Sequence, residues 1–228
     1  MNKKGLIIEI EGTDGSGKQT QTAKLIERLK KETNKEIIMQ DFPNYESESS
    51  GPVKMYLHGE LGENAKMISP YQASSLFAVD RYCTCYSKNG FYNKYKEGSI
   101  VILDRYVGSN MIHQAGKIEN NNEKDKFIDW VVDHEFNYLK LPRPDIIIFL
   151  DMPVECNLKL MEGRALKVGE KDIHEQDKNH LIDSYNAGKY VAHKNNWNVI
   201  KCAENVDNIK SIEEIHEEIY EIVKKYIH

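Results

Sequence analysis

The chain has 228 residues, with 31 Lys and Arg against 36 Asp and Glu, so its formal net charge is −5. This balance argues against a general nucleic-acid-binding protein, which would carry a basic surplus or patch. With 40% hydrophobic and 29% charged residues, the composition excludes a disordered chain. The longest apolar run, 146–150, is far shorter than the roughly 20 residues of a membrane helix, so we expect neither a membrane span nor a signal peptide.

Short apolar runs recur along the chain and alternate with stretches of helical periodicity. The runs cover residues 6–10, 37–39, 100–103, 146–150 and 197–200. Near-continuous runs of this length are typical of parallel strands that are buried on both faces. The sequence therefore predicts an α/β fold with three layers, α/β/α, around a five-stranded parallel sheet. Because no repeat or long linker interrupts the pattern, we expect a single domain over residues 1–228.

Capping boxes in the sequence predict where two helices begin. Ser69, Pro70 and Gln72 form a capping box with proline at the first helical position, which predicts a long helix through Arg81. A second box, Ser211 with Glu214, opens a helix at the C-terminal end. Its apolar stripe is expected to contain Ile209, Ile212, Ile215, Ile219, Ile222 and Tyr226.

A glycine-rich segment, residues 12–18 (GTDGSGK), directly follows the first predicted strand and leads into a helix. In that context the glycines let backbone N–H groups turn inward, the helix N-terminus adds its positive dipole end, and Lys18 reaches the β- and γ-phosphates. We therefore predict a phosphate-binding loop for ATP. Its expected residues are Gly12, Thr13, Asp14, Gly15, Ser16, Gly17, Lys18, Gln19 and Thr20.

Metal binding is the one point at which this loop departs from the usual pattern. Gln19 stands where a Ser or Thr hydroxyl normally reaches Mg²⁺. We expect Gln19 to contact the metal directly or through a water, and Thr20 to contact the α-phosphate. Asp104, which directly follows the predicted 100–103 strand, can orient the metal's water shell, while Arg105 can clamp a phosphate. The alternative for Asp104 and Arg105 is a local surface ion pair.

An aromatic and a basic residue lie four apart on the helix that Ser69 opens. Phe77 and Arg81 consequently face the same way, so that a base could stack on the ring and be read by the guanidinium. In the alternative interpretation, Phe77 is a core residue and Arg81 pairs with a nearby carboxylate. The base-recognition motif of GTPases, Asn-Lys-x-Asp, is absent where it would be needed, which argues against a switch protein.

The motifs as an ordered set resemble the thymidylate kinases, P-loop nucleoside monophosphate kinases that phosphorylate dTMP with ATP. The matching segments are 11–18 (EGTDGSGK), 42–45 (FPNY), 76–81 (LFAVDR), 104–110 (DRYVGSN), 141–145 (LPRPD) and 150–153 (LDMP). The resemblance covers nearly the whole chain. It implies a P-loop NTPase fold, the cofactors ATP and Mg²⁺, the substrate dTMP and a homodimer.

The resemblance also implies roles for individual residues. Phe77 would stack on thymine, Arg81 would donate to its O4, and Asn110 would bond the ring edge. Asp14 would hold the sugar 3′-hydroxyl near the reacting phosphate, and Tyr45 would contact the acceptor's phosphate. The remaining substrate-binding positions are Phe42, Arg105, Ser109, His113 and Gln114.

Two positions differ from the family pattern, and a further segment is expected to form a lid. Asn44 replaces an arginine, and His113 replaces an aromatic residue that crowds the site of a ribose 2′-hydroxyl. A lid is expected at 163–175, with Arg164 as the cation that closes over the phosphates. The predicted catalytic residues are thus Lys18, Asp14, Arg105 and Arg164.

Two other functions remain open at this level. The first is a kinase for another pyrimidine monophosphate, prompted by Asn44 and His113. The second is an ATP-binding regulatory protein without turnover, prompted by Gln19 and the arginine-poor lid. The four cysteines have no zinc-type spacing, which favours a reduced, cytoplasmic protein. From the acidic charge balance we expect no nucleic-acid partner, and from the short apolar runs no membrane partner.

Overall fold

The computed structural model describes residues 4–62, 67–162 and 178–227. At its centre lies a five-stranded parallel sheet, as predicted. Its strands are β1 (Leu6–Glu11), β2 (Ile37–Asp41), β3 (Ile100–Asp104), β4 (Ile146–Asp151) and β5 (Asn198–Lys201), in the order β2-β3-β1-β4-β5. Because β1 and β3 are neighbours, with Ile10 opposite Asp104, the loops that follow them emerge side by side at the carboxyl edge.

Helices surround the sheet. They are α1 (Lys18–Glu32), α2 (Gly51–Leu57), α3 (Pro70–Tyr86), α4 (Phe91–Glu97), α5 (Val107–His113), α6 (Asn121–Val132), α7 (Val154–Glu162), α8 (Lys178–Lys194) and α9 (Ile212–Ile227). A π-helical segment, Asp133–Tyr138, continues directly from α6. Among the described residues, no helix is both long enough and apolar enough to cross a bilayer.

Alternation along the strands builds the two sides of the core. Ile8 and Ile10 of β1 face one side, where they belong to one apolar cluster with residues of α1 and α9. Ile7 faces the other side and joins a cluster with residues of α4, α5, α6 and α8. Since neighbouring side chains of a strand point to opposite faces, the sheet is covered on both sides and the three-layer prediction is confirmed.

Both capping boxes form. The Ser69 hydroxyl accepts a hydrogen bond from Gln72 N–H at 3.2 Å, and Gln72 Oε1 accepts one from Ser69 N–H at 3.1 Å. Ser211 and Glu214 do the same at the start of α9. The expectation that Ile209 belongs to the α9 stripe is wrong. It lies in β7 (Asn208–Ile209), which pairs with β6 (Ala203–Asn205), because the cap at Ser211 starts the helix only afterwards.

Candidate active site

The loop between β1 and α1 has the backbone that a phosphate cradle requires. Gly15 and Gly17 adopt φ values of 81° and 90°, a region that residues with a side chain rarely occupy. Ser16 N–H donates to the Thr13 carbonyl at 3.2 Å and closes the turn. The loop ends at the N-terminus of a 15-residue helix, so the positive end of the α1 dipole lies against it.

Lys18 lies against this loop, as the motif predicts. Its Nζ donates to the carbonyls of Gly12 at 2.7 Å and Thr13 at 2.9 Å. Burial, and then the nearby positive charge of Arg105, lower the pKa of Lys18 to about 8, while Asp14 and other carboxylates oppose the shift. At neutral pH the side chain is therefore a cation at the loop, held by groups that a bound phosphate can replace.

Arg105 joins the end of β3 to the phosphate loop. Its backbone is left-handed, with φ 66°, and its N–H donates to the Ile10 carbonyl at 3.2 Å. The guanidinium binds the Asp14 carboxylate through Nη2 and donates through Nη1 to His113 Nε2 at 2.8 Å. Burial lowers the pKa of Arg105, but Asp14 and the neighbouring carboxylates outweigh that effect and raise it. Asp14, Arg105 and His113 thus converge in the structure.

Two buried carboxyl groups of β1 fix the turn that carries Arg105. Glu11 accepts from Tyr106 N–H at 2.9 Å and from the Ser109 hydroxyl at 2.9 Å, whereas Glu9 accepts from Gly108 N–H at 2.7 Å. Ser109, expected at the substrate, is therefore bound to Glu11 in this structure. Burial, followed by the charge of Glu11, raises the pKa of Glu9 well above its usual range. The sequence signal for Glu9 is an acidic residue inside an apolar run.

His113 lies beside Arg105 and is in contact with a second histidine. Because a guanidinium only donates, His113 Nε2 accepts and its proton lies on Nδ1, which faces His180 Nε2 at 3.4 Å. The two imidazole rings stack with centroids 5.6 Å apart. His180 comes from α8 and is a site residue that the motifs did not point to.

Phe77 packs against residues of α2. The ring is half-buried, and it meets Tyr56 edge to face with ring centroids 6.0 Å apart. Tyr56 in turn accepts a hydrogen bond from Lys117 Nζ at 2.9 Å, and burial lowers the pKa of Lys117 to about 8. The Phe77 ring therefore keeps part of its surface available for stacking.

Arg81 and Asn110 come together on a carboxylate that sequence reasoning missed. Arg81 binds Glu135 through Nε at 2.6 Å and Nη2 at 2.7 Å. Asn110 Nδ2 donates to Glu135 at 2.8 Å and to the Ser74 carbonyl at 3.1 Å. The alternative in which Arg81 pairs with a carboxylate is thus what the structure contains, although Arg81 and Asn110 are also brought together. No periodicity singles out Glu135, which lies in the π-helical segment.

The segment 42–45 lies at the edge of this site. Phe42 is buried, with its ring 5.6 Å from that of Tyr106, and its N–H donates to the Asp104 carbonyl. Phe42 accordingly acts as a packing residue that fixes the segment. Tyr45 is half-exposed, and it lies close enough to Arg105 to contribute to the raised pKa of that guanidinium.

Two further predicted positions, Asn44 and Gln114, have polar side chains whose surroundings the structure shows. The amide group of Asn44, which replaces an arginine of the family pattern, donates to the Thr84 hydroxyl at 3.2 Å, and its N–H donates to Asp80. Gln114 is buried, and its Oε1 has no hydrogen-bond partner among the described residues. The Gln114 side chain therefore has an unused hydrogen-bond acceptor.

The residues expected near Mg²⁺ lie where the two loops meet. Asp104 is buried at the end of β3, and its charge acts on both Lys18 and Arg105. Gln19 is exposed at the start of α1, with Thr20 half-exposed beside it. The described residues contain no cluster of three His, Cys, Asp or Glu that could hold a metal. A nucleotide-bound Mg²⁺ needs only one or two protein ligands besides phosphate and water, so Asp104 and Gln19 fit.

The predicted lid at 163–175, with Arg164, lies outside the described residues.

A phosphate loop with its lysine, at the carboxyl edge of this sheet and next to an Asp–Arg pair, defines a P-loop nucleotide-binding protein. The family model of thymidylate kinase matches residues 10–219. The chain belongs to the thymidylate kinase family.

Individual relatives agree with this assignment. The chain is 34% identical over 164 residues to a thymidylate kinase of Mycobacterium tuberculosis, covering 70% of this chain and 72% of that protein. It is 30% identical over 227 residues to a probable thymidylate kinase of Pyrococcus horikoshii, with 97% of both chains covered. The fold is similar to that of thymidylate kinase from Candida albicans, with a TM-score of 0.69 at 20% identity over 97% of this chain and 92% of that one.

Proposed function

We propose that the protein transfers the γ-phosphoryl group of ATP to the 5′-phosphate of dTMP, giving dTDP and ADP. The observation that carries this proposal is the contact between Arg105 and Asp14. It joins the donor's phosphate loop to the strand end at which an acceptor phosphate would lie. Two anion-binding elements that meet in this way suit transfer between two nucleotides better than binding of one.

The donor is bound by the loop and Lys18. Its phosphates meet the loop amides and the α1 N-terminus, and Lys18 exchanges the Gly12 and Thr13 carbonyls for phosphate oxygens. The acceptor's phosphate oxygen forms the new bond to Pγ while the bond from Pγ to the β-bridging oxygen breaks and ADP leaves. No general base is needed, because the attacking oxygen is already anionic near pH 7.

The acceptor is bound by Arg105 and the base pocket. The planar guanidinium of Arg105 neutralises charge that spreads over the transferred group, while Asp14 orients both the guanidinium and the sugar. Phe77 stacks on thymine, and Arg81 with Asn110 reads its edge. Arg164 of the lid is proposed to add a further cation and to help exclude water.

Mg²⁺ is proposed to act with ATP. When bound, it supplies positive charge to the phosphate oxygens. Asp104 would hold it through water, and Gln19 would do so directly or through water.

A coupled ADP-release assay tests the function. With ATP as donor, we expect the highest kcat/KM for dTMP among dTMP, dUMP, UMP, dCMP and AMP. Preference for another nucleotide would assign the enzyme to that substrate instead. Tight ATP binding without ADP release in any reaction would contradict the proposal and favour a regulatory role.

We further propose that the protein acts as a homodimer of single-domain subunits in the cytoplasm. Exposed apolar side chains on α3, Val79 and Tyr82, lie three residues apart on one face and support a subunit contact there. Sedimentation velocity tests the dimer. Val79→Asp should shift the protein toward the monomer, and a wild-type chain that sediments as a monomer at micromolar concentration would contradict it.

A further inference from the structure

Glu135 is the centre of a buried polar cluster on the base side of the site. The residue is fully buried, and Arg81 is almost so, with 2% of its surface exposed. Glu135 Oε1 accepts from Arg81 Nη2 at 2.7 Å and from Asn110 Nδ2 at 2.8 Å, while Oε2 accepts from Arg81 Nε at 2.6 Å. One carboxylate therefore holds both side chains in place.

This cluster determines which way the Asn110 amide points. The two groups that face Nδ2 are the Glu135 carboxylate and the Ser74 carbonyl, and both can only accept. The NH₂ end of the amide must therefore face them, so Oδ1 points away. Among the described residues, Oδ1 of Asn110 accepts no hydrogen bond, and Nη1 of Arg81 donates none.

Asn110 and Arg81 together keep one hydrogen-bond acceptor and one hydrogen-bond donor available for a ligand. Asn110 offers Oδ1 as an acceptor, and Arg81 offers Nη1 as a donor, one helical turn from the Phe77 ring. Thymine and uracil carry the complementary pattern on one edge, with a donor at N3–H and an acceptor at O4. Cytosine carries the reverse, with an acceptor at N3 and a donor amine at C4. A site of this kind discriminates strongly because a mismatched base leaves buried polar groups unpaired.

We propose that Glu135 is a positioning residue that sets this specificity, selecting 4-oxopyrimidine monophosphates over cytidine monophosphates without touching the base. The inference rests on the proposed function, in which the base lies at Phe77, Arg81 and Asn110. Glu135 acts by fixing the amide of Asn110 as an acceptor and by holding the guanidinium of Arg81 as a donor.

The test compares kcat/KM for dTMP and dCMP in wild type and Glu135→Gln. The introduced amide presents a donor to Arg81 or Asn110, so one of these hydrogen bonds is lost and the Asn110 amide can turn its NH₂ toward the base. We expect the dTMP-to-dCMP ratio to fall about tenfold or more, mainly through a higher KM for dTMP. The KM for ATP should stay within about twofold of wild type, since the donor site is unchanged.

Three further variants keep the result interpretable. Glu135→Asp retains both acceptor oxygens and should recover part of the ratio. Glu123→Gln removes an exposed carboxylate of α6 that pairs with Lys126, and it should leave the ratio unchanged. Asn110→Ala removes the Oδ1 acceptor while leaving the Arg81–Glu135 pair, so it should lower the ratio even if Glu135 variants fail to fold.

The outcomes separate the two proposals. A wild-type enzyme that turns over dTMP, together with an unchanged ratio in Glu135→Gln or in Asn110→Ala, would overturn the inference and leave the function intact. A wild-type ratio near one would also overturn it. No turnover of dTMP by the wild type would overturn the function itself, and with it the inference.

Discussion

Lys18 illustrates how burial and charge act on a single side chain that we propose to be catalytic. The ammonium lies under the phosphate loop, close to Arg105, and both burial and that neighbour favour its neutral form. A bound polyphosphate favours the charged form instead. Nucleotide binding and protonation of Lys18 are therefore linked.

We predict that ATP affinity falls as the pH rises through about 8, the pKa of Lys18. Below this pH the side chain is a cation that attracts phosphate, whereas above it the side chain is neutral. ATP raises the pKa again, so binding near pH 8 takes up a proton. Isothermal titration calorimetry in buffers of different ionisation enthalpy measures that uptake directly.

Lys18→Ala should abolish this proton uptake and lower kcat by about 10²-fold or more. Lys31→Ala, which removes an exposed lysine of α1, is the matched control and should behave as wild type. Proton uptake that persists in Lys18→Ala would assign the linkage to another group.

Arg105 tests the proposed acceptor site. We predict that Arg105→Ala lowers kcat by about 10²-fold or more, because the side chain neutralises charge that develops during transfer. Arg105→Lys should recover only part of the loss, since a single ammonium cannot bind Asp14 and His113 with the fork of a guanidinium. Steady-state kinetics with thermal unfolding as a folding control decides the point, and wild-type turnover in Arg105→Ala would refute the assignment.

At the scale of elements, the site depends on how β1 holds the N-terminus of α5. Glu9 and Glu11 accept hydrogen bonds from Gly108 and Tyr106, the residues that follow and flank Arg105. Two carboxyl groups buried this close cannot both ionise without a large cost, and burial together with the charge of Glu11 raises the pKa of Glu9 well above its usual range. The raised pKa of Glu9 makes stability depend on pH.

We predict that Glu9→Gln raises the free energy of unfolding at pH 8 by about 1 kcal/mol or more. A carboxyl whose pKa is raised in the folded state binds its proton more tightly there, so wild-type stability falls as the pH rises from about 4.5 through the raised pKa. Glutamine can keep the acceptor for Gly108 N–H at every pH.

Urea unfolding from pH 4.5 to 8 measures this effect. The stabilisation by Glu9→Gln should shrink toward pH 4.5, the ordinary pKa of a glutamate, because the unfolded wild type takes up protons as the pH falls toward that value. Glu97→Gln, at an exposed position of α4, is the control. A difference that does not change with pH would contradict the raised pKa of Glu9.

At the scale of the whole molecule, α8 connects the sheet to the proposed acceptor site. Gly188 lies against the ring of Phe149 on β4, and His180, two turns earlier on α8, stacks on His113 of α5. The glycine permits a close approach of helix and sheet, so a change in that spacing would move His180 relative to Arg105. Stability and the site are therefore coupled through this packing.

We predict that Gly188→Ala destabilises the protein by about 1–2 kcal/mol, despite the better helix propensity of alanine. A Cβ at this position would lie 2.8 Å from the Phe149 ring, which is fully buried and cannot easily move. Gly51→Ala is the matched control, because its Cβ would meet no atom within 4 Å. Thermal unfolding compares the two, and equal stability would show that the helix relaxes without cost.

Sequence by itself determined the parts of this protein that are governed by local physics. The five strands follow from short apolar runs, the caps at Ser69 and Ser211 from side chains that reach the nearest free N–H groups, and the phosphate loop from glycines directly before a helix. In each case the residues that produce the signal lie within a few positions of one another in the sequence. The family assignment follows for the same reason, since it depends on an ordered set of such motifs.

Only the tertiary structure decided which distant side chains complete the site. Glu135 binds Arg81 across 54 positions, His180 meets His113 across 67, and Glu9 binds Gly108 across 99. A buried hydrogen-bond donor needs an acceptor, and the tertiary fold decides which residue supplies it. The local sequence around these residues does not indicate which partner that is. Local spacing suggested a base reader at Arg81, whereas packing revealed the carboxylate that holds it.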